Sequence, residues 1–232
     1  MNFLFFNNEW LAILPELFLV VSINLILLYA VIYSTSPFFD FPLLINNVSW
    51  LSILLLIIVF YLTLNNYALN IVIFNNLLII DLFGNFIKGF ILLSTICVLI
   101  MSLTYNKFEQ VNNFEFPVLV MLTILGTLLL ISSYDLISMY LAIELQSFCS
   151  YILSSFKRNS EFSAESGLKY FILGAFSSGF LLFGCSLIYG FTGATNYELI
   201  SLLLVNTDYN SLHNNGIIVG IVFFLVLGKA GL

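Results

Sequence analysis

Apolar runs long enough to cross a bilayer recur along this chain and leave few architectures open to it. A crossing helix takes about 20 consecutive apolar residues to span roughly 30 Å of hydrocarbon. Seven stretches answer to that: Leu11 to Tyr33, Val48 to Leu64, Phe86 to Tyr105, Phe116 to Ser133, Asp135 to Phe156, Gly167 to Gly190 and Gly216 to Leu232. Backbone in lipid must satisfy its own hydrogen bonds, so the runs read as helices and the chain as an all-α membrane protein with about seven transmembrane helices. Composition agrees. Only 8% of the 232 residues are charged and 61% are hydrophobic, against about 25% charged in soluble domains.

Two segments stand outside this pattern. Asn65 to Gly84 is rich in Ile and Val but broken by AsnAsn pairs, which suits a short interfacial hairpin. Gly193 to Asn215 carries Glu198, Asp208 and His213 and reads as a longer loop with a surface helix over Tyr197 to Val205. The formal charge of −6 comes from scattered acids, and six Lys and Arg make no phosphate-binding patch, so nucleic acid is excluded as a partner. Cys97, Cys149 and Cys185 are odd in number, widely spaced and set in apolar runs, and are expected to be small buried residues. Paired histidines, clustered cysteines, GxGxxG and GxxxxGK[ST] are all missing from the sequence, so no redox, metal or nucleotide site is expected in this chain. The N-terminus has no basic region of a signal peptide and is expected to stay uncleaved.

Three ionisable residues interrupt the apolar runs: Glu144 in YLAIELQSF, Lys169 in GLKYFILGAF and Lys229 in FFLVLGKAGL. A charge at the bilayer centre costs at least about 2.5 kcal/mol, so such residues face protein or water and mark ion paths. Glu144 lies nine residues past Asp135, about 13 Å along its helix and near the midplane. An antiparallel hairpin brings Lys169, at the start of the next helix, within about two turns of it in depth. Lys229 comes out about 20 Å deep, with Gly228 and Gly231 loosening its helix. A carboxylate and two amines on neighbouring helices control one another's protonation, which suits proton transport. The same residues also fit a structural ion pair, with Lys169 snorkelling to the interface. Glu16, just after Pro15, is read as an interfacial or first-turn acid favoured by the helix dipole.

Loop cations set an orientation. The third and fifth connections carry Lys107 and the pair Lys157 and Arg158, while the even connections carry none. The positive-inside rule then puts the odd loops on the cytoplasmic or equivalent side.

The run SSYDLISMYLAIELQSF, followed by KRNSEFSAESGLKYFILGAFSSGFLLFGCSLIYGFTG, closely resembles the antiporter-like membrane-arm subunits of respiratory complex I of the NADH dehydrogenase subunit 2 type, most strongly from Glu115 to Gly193. The resemblance implies a fourteen-helix bundle with two inverted five-helix repeats. Of it this chain would hold the N-terminal half: three helices over 1–115 and a first repeat over 116–232, incomplete at its fifth helix. It matches Glu144 to the family's embedded glutamate, Lys169 and Tyr170 to its KY pair, and Lys229 to the lysine of an interrupted seventh helix. It implies proton translocation coupled to quinone reduction, with NAD, FMN, iron-sulfur clusters and ubiquinone bound by other subunits. Implied partners are the other membrane-arm subunits and the bilayer, and the implied location is the mitochondrial inner membrane with odd loops on the matrix side. The last helix runs apolar to Leu232, so a second chain carrying the C-terminal half, or a continuation, is expected to complete it. A stand-alone cation/proton antiporter half and a structural helix scaffold are the alternatives.

Overall fold

A computed structural model of the chain describes residues 9–34, 45–66, 71–108, 114–157 and 160–206. Six helices among them are long and apolar enough to cross a membrane. They are α1 (Leu14–Ser34), α2 (Ile45–Leu64), α3 (Leu82–Phe108), α4 (Glu115–Ser132), α5 (Leu136–Ser154) and α6 (Glu161–Thr192), followed by the short α7 (Tyr197–Asn206). Strands β1 (Ile71–Ile73) and β2 (Leu78–Ile80) form a two-stranded sheet between α2 and α3. The expected hairpin and the short helix at Tyr197 are therefore both present. The expected seventh span, Gly216 to Leu232, lies outside the described residues.

Two helices start earlier than hydropathy suggests. In α3 the ladder already begins with the Asn85 N–H donating to the Asp81 carbonyl at 2.9 Å, because Asn85 and Lys88 dilute the apolar signal without breaking the helix. In α6 the Ser160 hydroxyl accepts from the Ser163 N–H, and Glu161 sits in the first turn. A capping hydroxyl and an acid at a helix start satisfy free N–H groups and suit the dipole. The far end of α6 closes at Gly193, whose φ of 68° is the left-handed conformation that glycine adopts without strain.

The chain forms two compact units: residues 1–73 with 79–132, and residues 74–78 with 133–232. In the first, α1 packs on α2 and α4, and α2 and α3 pack on each other and on α4. Its core is a set of helical stripes: Leu19, Ile23, Ile26 and Ala30; Leu92 and Leu99; Met121, Ile124 and Leu128. Packing groups α4 with the first three helices. A repeat boundary at 115/116 concerns internal symmetry, which packing does not address. Cys149 and Cys185 are buried as expected, but Cys97 is exposed, on the face of α3 that its own unit leaves uncovered. An apolar setting in a membrane helix means lipid as readily as core, so burial does not follow from it.

The second unit is built on the antiparallel α5–α6 hairpin. Gly167, Gly174, Leu181 and Ile188, seven residues apart, are buried along one side of α6. A Cβ on Gly167 would strike Ser155 and one on Gly174 would strike the Tyr151 ring, so these glycines set how closely the helices approach. At the other end Leu136, Leu181, Cys185, Ile188 and Ile200 form a buried cluster, with Met139, Tyr140 and Tyr197 against it. The turn Phe74–Leu77 is fastened to the start of α5: the Leu77 carbonyl accepts from the Tyr134 N–H (2.9 Å) and the Ser138 hydroxyl (3.0 Å), and the Asn76 carbonyl from the Asn196 amide. Phe74, Asn75 and Asn76 all have positive φ. Asn tolerates this well; Phe does not, and these bonds hold it there.

Candidate functional site

Glu144 is the ninth residue of α5, about 13 Å from the Asp135 end and about 15 Å from the Ser154 end. Its Oε1 is buried and has no hydrogen-bond partner among the described residues. One turn earlier, Tyr140 lies within hydrogen-bonding reach of both the Glu144 carboxylate and the Ser178 hydroxyl of α6. Half of the carboxylate thus touches the tyrosine while the other half is left bare. A bare buried oxygen is costly unless water, a proton or another chain serves it.

Lys169 sits elsewhere on the hairpin. The rings of Tyr151 and Tyr170 meet edge-on at 4.9 Å and fix the register, so Lys169 is level with the last turn of α5. Glu144 is seven residues from Tyr151, about 10 Å deeper. The two charges are therefore two turns apart and form no ion pair. Lys169 instead bonds Glu165 on its own helix at 2.6 Å, with 68% of its side chain exposed. It is nine residues into α6 rather than at the helix start, because α6 begins at Glu161. Lys229 lies outside the described residues, as does His213.

Two charged groups that the sequence did not single out as site residues are more buried than either. Glu16 on α1 and Lys88 on α3 are joined at 2.5 Å with side-chain exposures of 5% and 3%. Glu16 does stand in the first turn of α1, as expected, but it is buried there as half of an ion pair, and its Oε2 has no partner among the described residues. A cavity of about 250 Å³ lined by Asp81, Asn85, Lys88 and Ser132 adjoins it. A usable signal existed. Consecutive crossings alternate in direction, so α1 and α3 run parallel, and charges near the start of each lie at similar depth.

The third unforeseen group is Asp135, 5% exposed at the entrance to α5, with Oδ1 unpartnered among the described residues. It pairs by backbone with Asn196 and lies within electrostatic reach of Tyr197. The Tyr197 hydroxyl donates to the Met139 sulfur at 3.0 Å. Burial first, then Cys185 and Asp135, push this phenol up to about 12, so it keeps its proton at any physiological pH.

Comparison with known proteins bears on this hairpin directly. A family model described as NADH:quinone oxidoreductase/Mrp antiporter, TM, matches residues 133–231. NADH-ubiquinone oxidoreductase chain 2 of Marchantia polymorpha is 48% identical over 95% of this chain and 46% of the relative. The chain belongs to the NADH-quinone oxidoreductase chain 2/subunit N family. Chain 2 of Arabidopsis thaliana is 44% identical over 94% of this chain and 44% of that protein. Subunit N of Pelagibacter ubique is 41% identical over 92% and 43%. The chain thus spans less than half the length of these curated relatives. Among solved structures, respiratory complex I from Thermus thermophilus matches with a TM-score of 0.67 at 22% identity, over 94% of this chain and 42% of that one. The Mrp complex from Dietzia matches at 0.70 and 16%, over 94% and 40%. At such identities these two show a shared fold of membrane helices and nothing finer.

Proposed function

We propose that this chain is a proton-translocating part of the membrane arm of NADH:ubiquinone oxidoreductase, in which Glu144, Lys169 and Lys229 load and release protons as quinone is reduced in other subunits. The observation that carries this is the half-bare Glu144 carboxylate in mid-helix, in a chain 48% identical to NADH-ubiquinone oxidoreductase chain 2. Moving one charge against 100 mV costs about 2.3 kcal/mol, equivalent to less than two pKa units. Coupled changes at a buried carboxylate and its lysines supply that scale. Glu165 gives Lys169 a shallow resting partner. Release from it would let the flexible ammonium reach toward Glu144, drawing a proton off the acid by stabilising its charged form.

On this reading NAD, FMN, the iron-sulfur clusters and ubiquinone are held by other subunits, and residues 116–232 are the first antiporter-like repeat. The location is the mitochondrial inner membrane, with the loops bearing Lys107 and Lys157 on the matrix side. Glu144→Gln keeps the shape of the side chain while ending its titration. It should lower protons pumped per NADH oxidised, measured in sealed vesicles, much more than it lowers the amount of assembled complex. Poor assembly with normal pumping per assembled complex would make Glu144 a scaffold residue instead.

A further inference from the structure

Glu144 needs a way to exchange protons with water, and the α5–α6 hairpin offers a line of carboxyl, thiol and phenol groups toward its Asp135 end, whereas toward the other end Ser147 and Ser150 bond the carbonyls of Glu144 and Ser147. Asp135 lies within electrostatic reach of Tyr197 there, and Cys185 within reach of both Tyr197 and Tyr140. Both tyrosines pack against the same buried cluster. Tyr140 then reaches Glu144. The two termini of this line, Asp135 Oδ1 and Glu144 Oε1, are buried carboxylate oxygens with no partner among the described residues. Thioether sulfur is a weak acceptor, so the bond from Tyr197 to Met139 leaves that hydroxyl ready to turn. At the opposite end of the hairpin the level of Tyr151 is filled by the Tyr170 and Phe171 rings, 4.9 and 5.6 Å away.

We propose that Tyr197 and Tyr140 relay protons in series between Asp135 and Glu144, making the Asp135 end of the hairpin the aqueous door of the Glu144 site. This rests on the transport role given to Glu144 above. In the inward step the Asp135 carboxyl gives up its proton, each tyrosine oxygen accepts one proton as it passes its own forward, and the Glu144 carboxylate takes the last. Water bridges any gap too long for a direct bond. The net change is one proton from Asp135 to Glu144, with both phenols unchanged; release runs in reverse. The tyrosines need not ionise, because each gains a proton as it loses one.

The test uses intact complex in sealed vesicles, with protons pumped per NADH scored per assembled complex. Tyr140→Phe and Tyr197→Phe keep the rings and their packing but remove the hydroxyls. Each should lower the ratio, and the double variant should fall no further than the worse single, since the groups act in series. A parental ratio in Tyr140→Phe, or losses that add, would overturn the relay. Asp135→Asn gives a second reading away from the tyrosine rings, and a parental ratio there overturns it equally. Glu144→Gln is run alongside. If it pumps normally, the transport role of Glu144 has failed; if it loses pumping while Tyr140→Phe does not, only the relay has.

Discussion

The Glu16–Lys88 pair shows how charge behaves when a single side chain is taken out of water. Desolvating two ions costs several kcal/mol each, and their attraction offsets this only in good geometry. Removing one partner leaves the other bare, with a penalty of about 3 to 5 kcal/mol, whereas replacing both by apolar groups of similar volume is often neutral. Lys88→Met alone should therefore reduce the yield of assembled complex sharply, and Glu16→Met with Lys88→Met should restore most of it, as measured by quantity and thermal stability in detergent. A double variant no better than the single would mean that the carboxylate or the amine has a task beyond neutralising its partner. The pair also marks the limit of reading residues one at a time. Lys88 lies inside a span with ordinary neighbours, and only a partner 72 positions away explains it. Glu144, by contrast, announced itself, because a carboxylate flanked by apolar residues nine positions into a span can be placed at mid-depth by rise per residue alone.

At the scale of elements, glycine spacing on α6 matters more than the apolar run itself. Gly167, Gly174, Leu181 and Ile188 repeat at seven residues and put their small members where α5 comes closest. A methyl at Gly167 would also meet Ser155 backbone atoms at 3.1 and 3.2 Å, which cannot swing aside. Overpacking of this kind costs about 1 to 3 kcal/mol. Gly167→Ala and Gly174→Ala should each lower the melting temperature of the assembled protein, while Gly179→Ala, with nothing within 4 Å of its new methyl, should not. Equal shifts in all three would show that helix propensity, not interhelical contact, decides. The start of α6 was readable only through its cap: Ser160 and Glu161 belong to a polar stretch that hydropathy discards, yet their hydroxyl and carboxylate suit free N–H groups. Ignoring that cap set Lys169 at a helix end when it is more than two turns inside.

For the whole molecule, the loop cations predict which way the bundle faces. A cysteine at Lys157, in a Cys97→Ser background, should react with a membrane-impermeant thiol reagent from the matrix side of mitochondria or inverted vesicles and resist it from the other. Labelling from the opposite side would invert the orientation and with it the side on which the Asp135 door opens. The first six spans and their order, the hairpin after α2, the short helix at Tyr197 and the mid-helix Glu144 were all determined by the sequence alone. Each follows from local periodicity, rise per residue or the price of exposing backbone to lipid. What only tertiary structure decided is who meets whom. That Lys88 answers Glu16, that Lys169 turns to Glu165 instead of Glu144, that Cys97 faces outward while Cys185 joins a buried cluster against which Tyr140 and Tyr197 pack, and that Asp135 is buried all depend on helix rotation about its own axis. In a chain apolar on every side, hydropathy scarcely constrains that rotation. Close packing at small residues and a few buried polar contacts set it instead, and these join residues that the sequence keeps far apart.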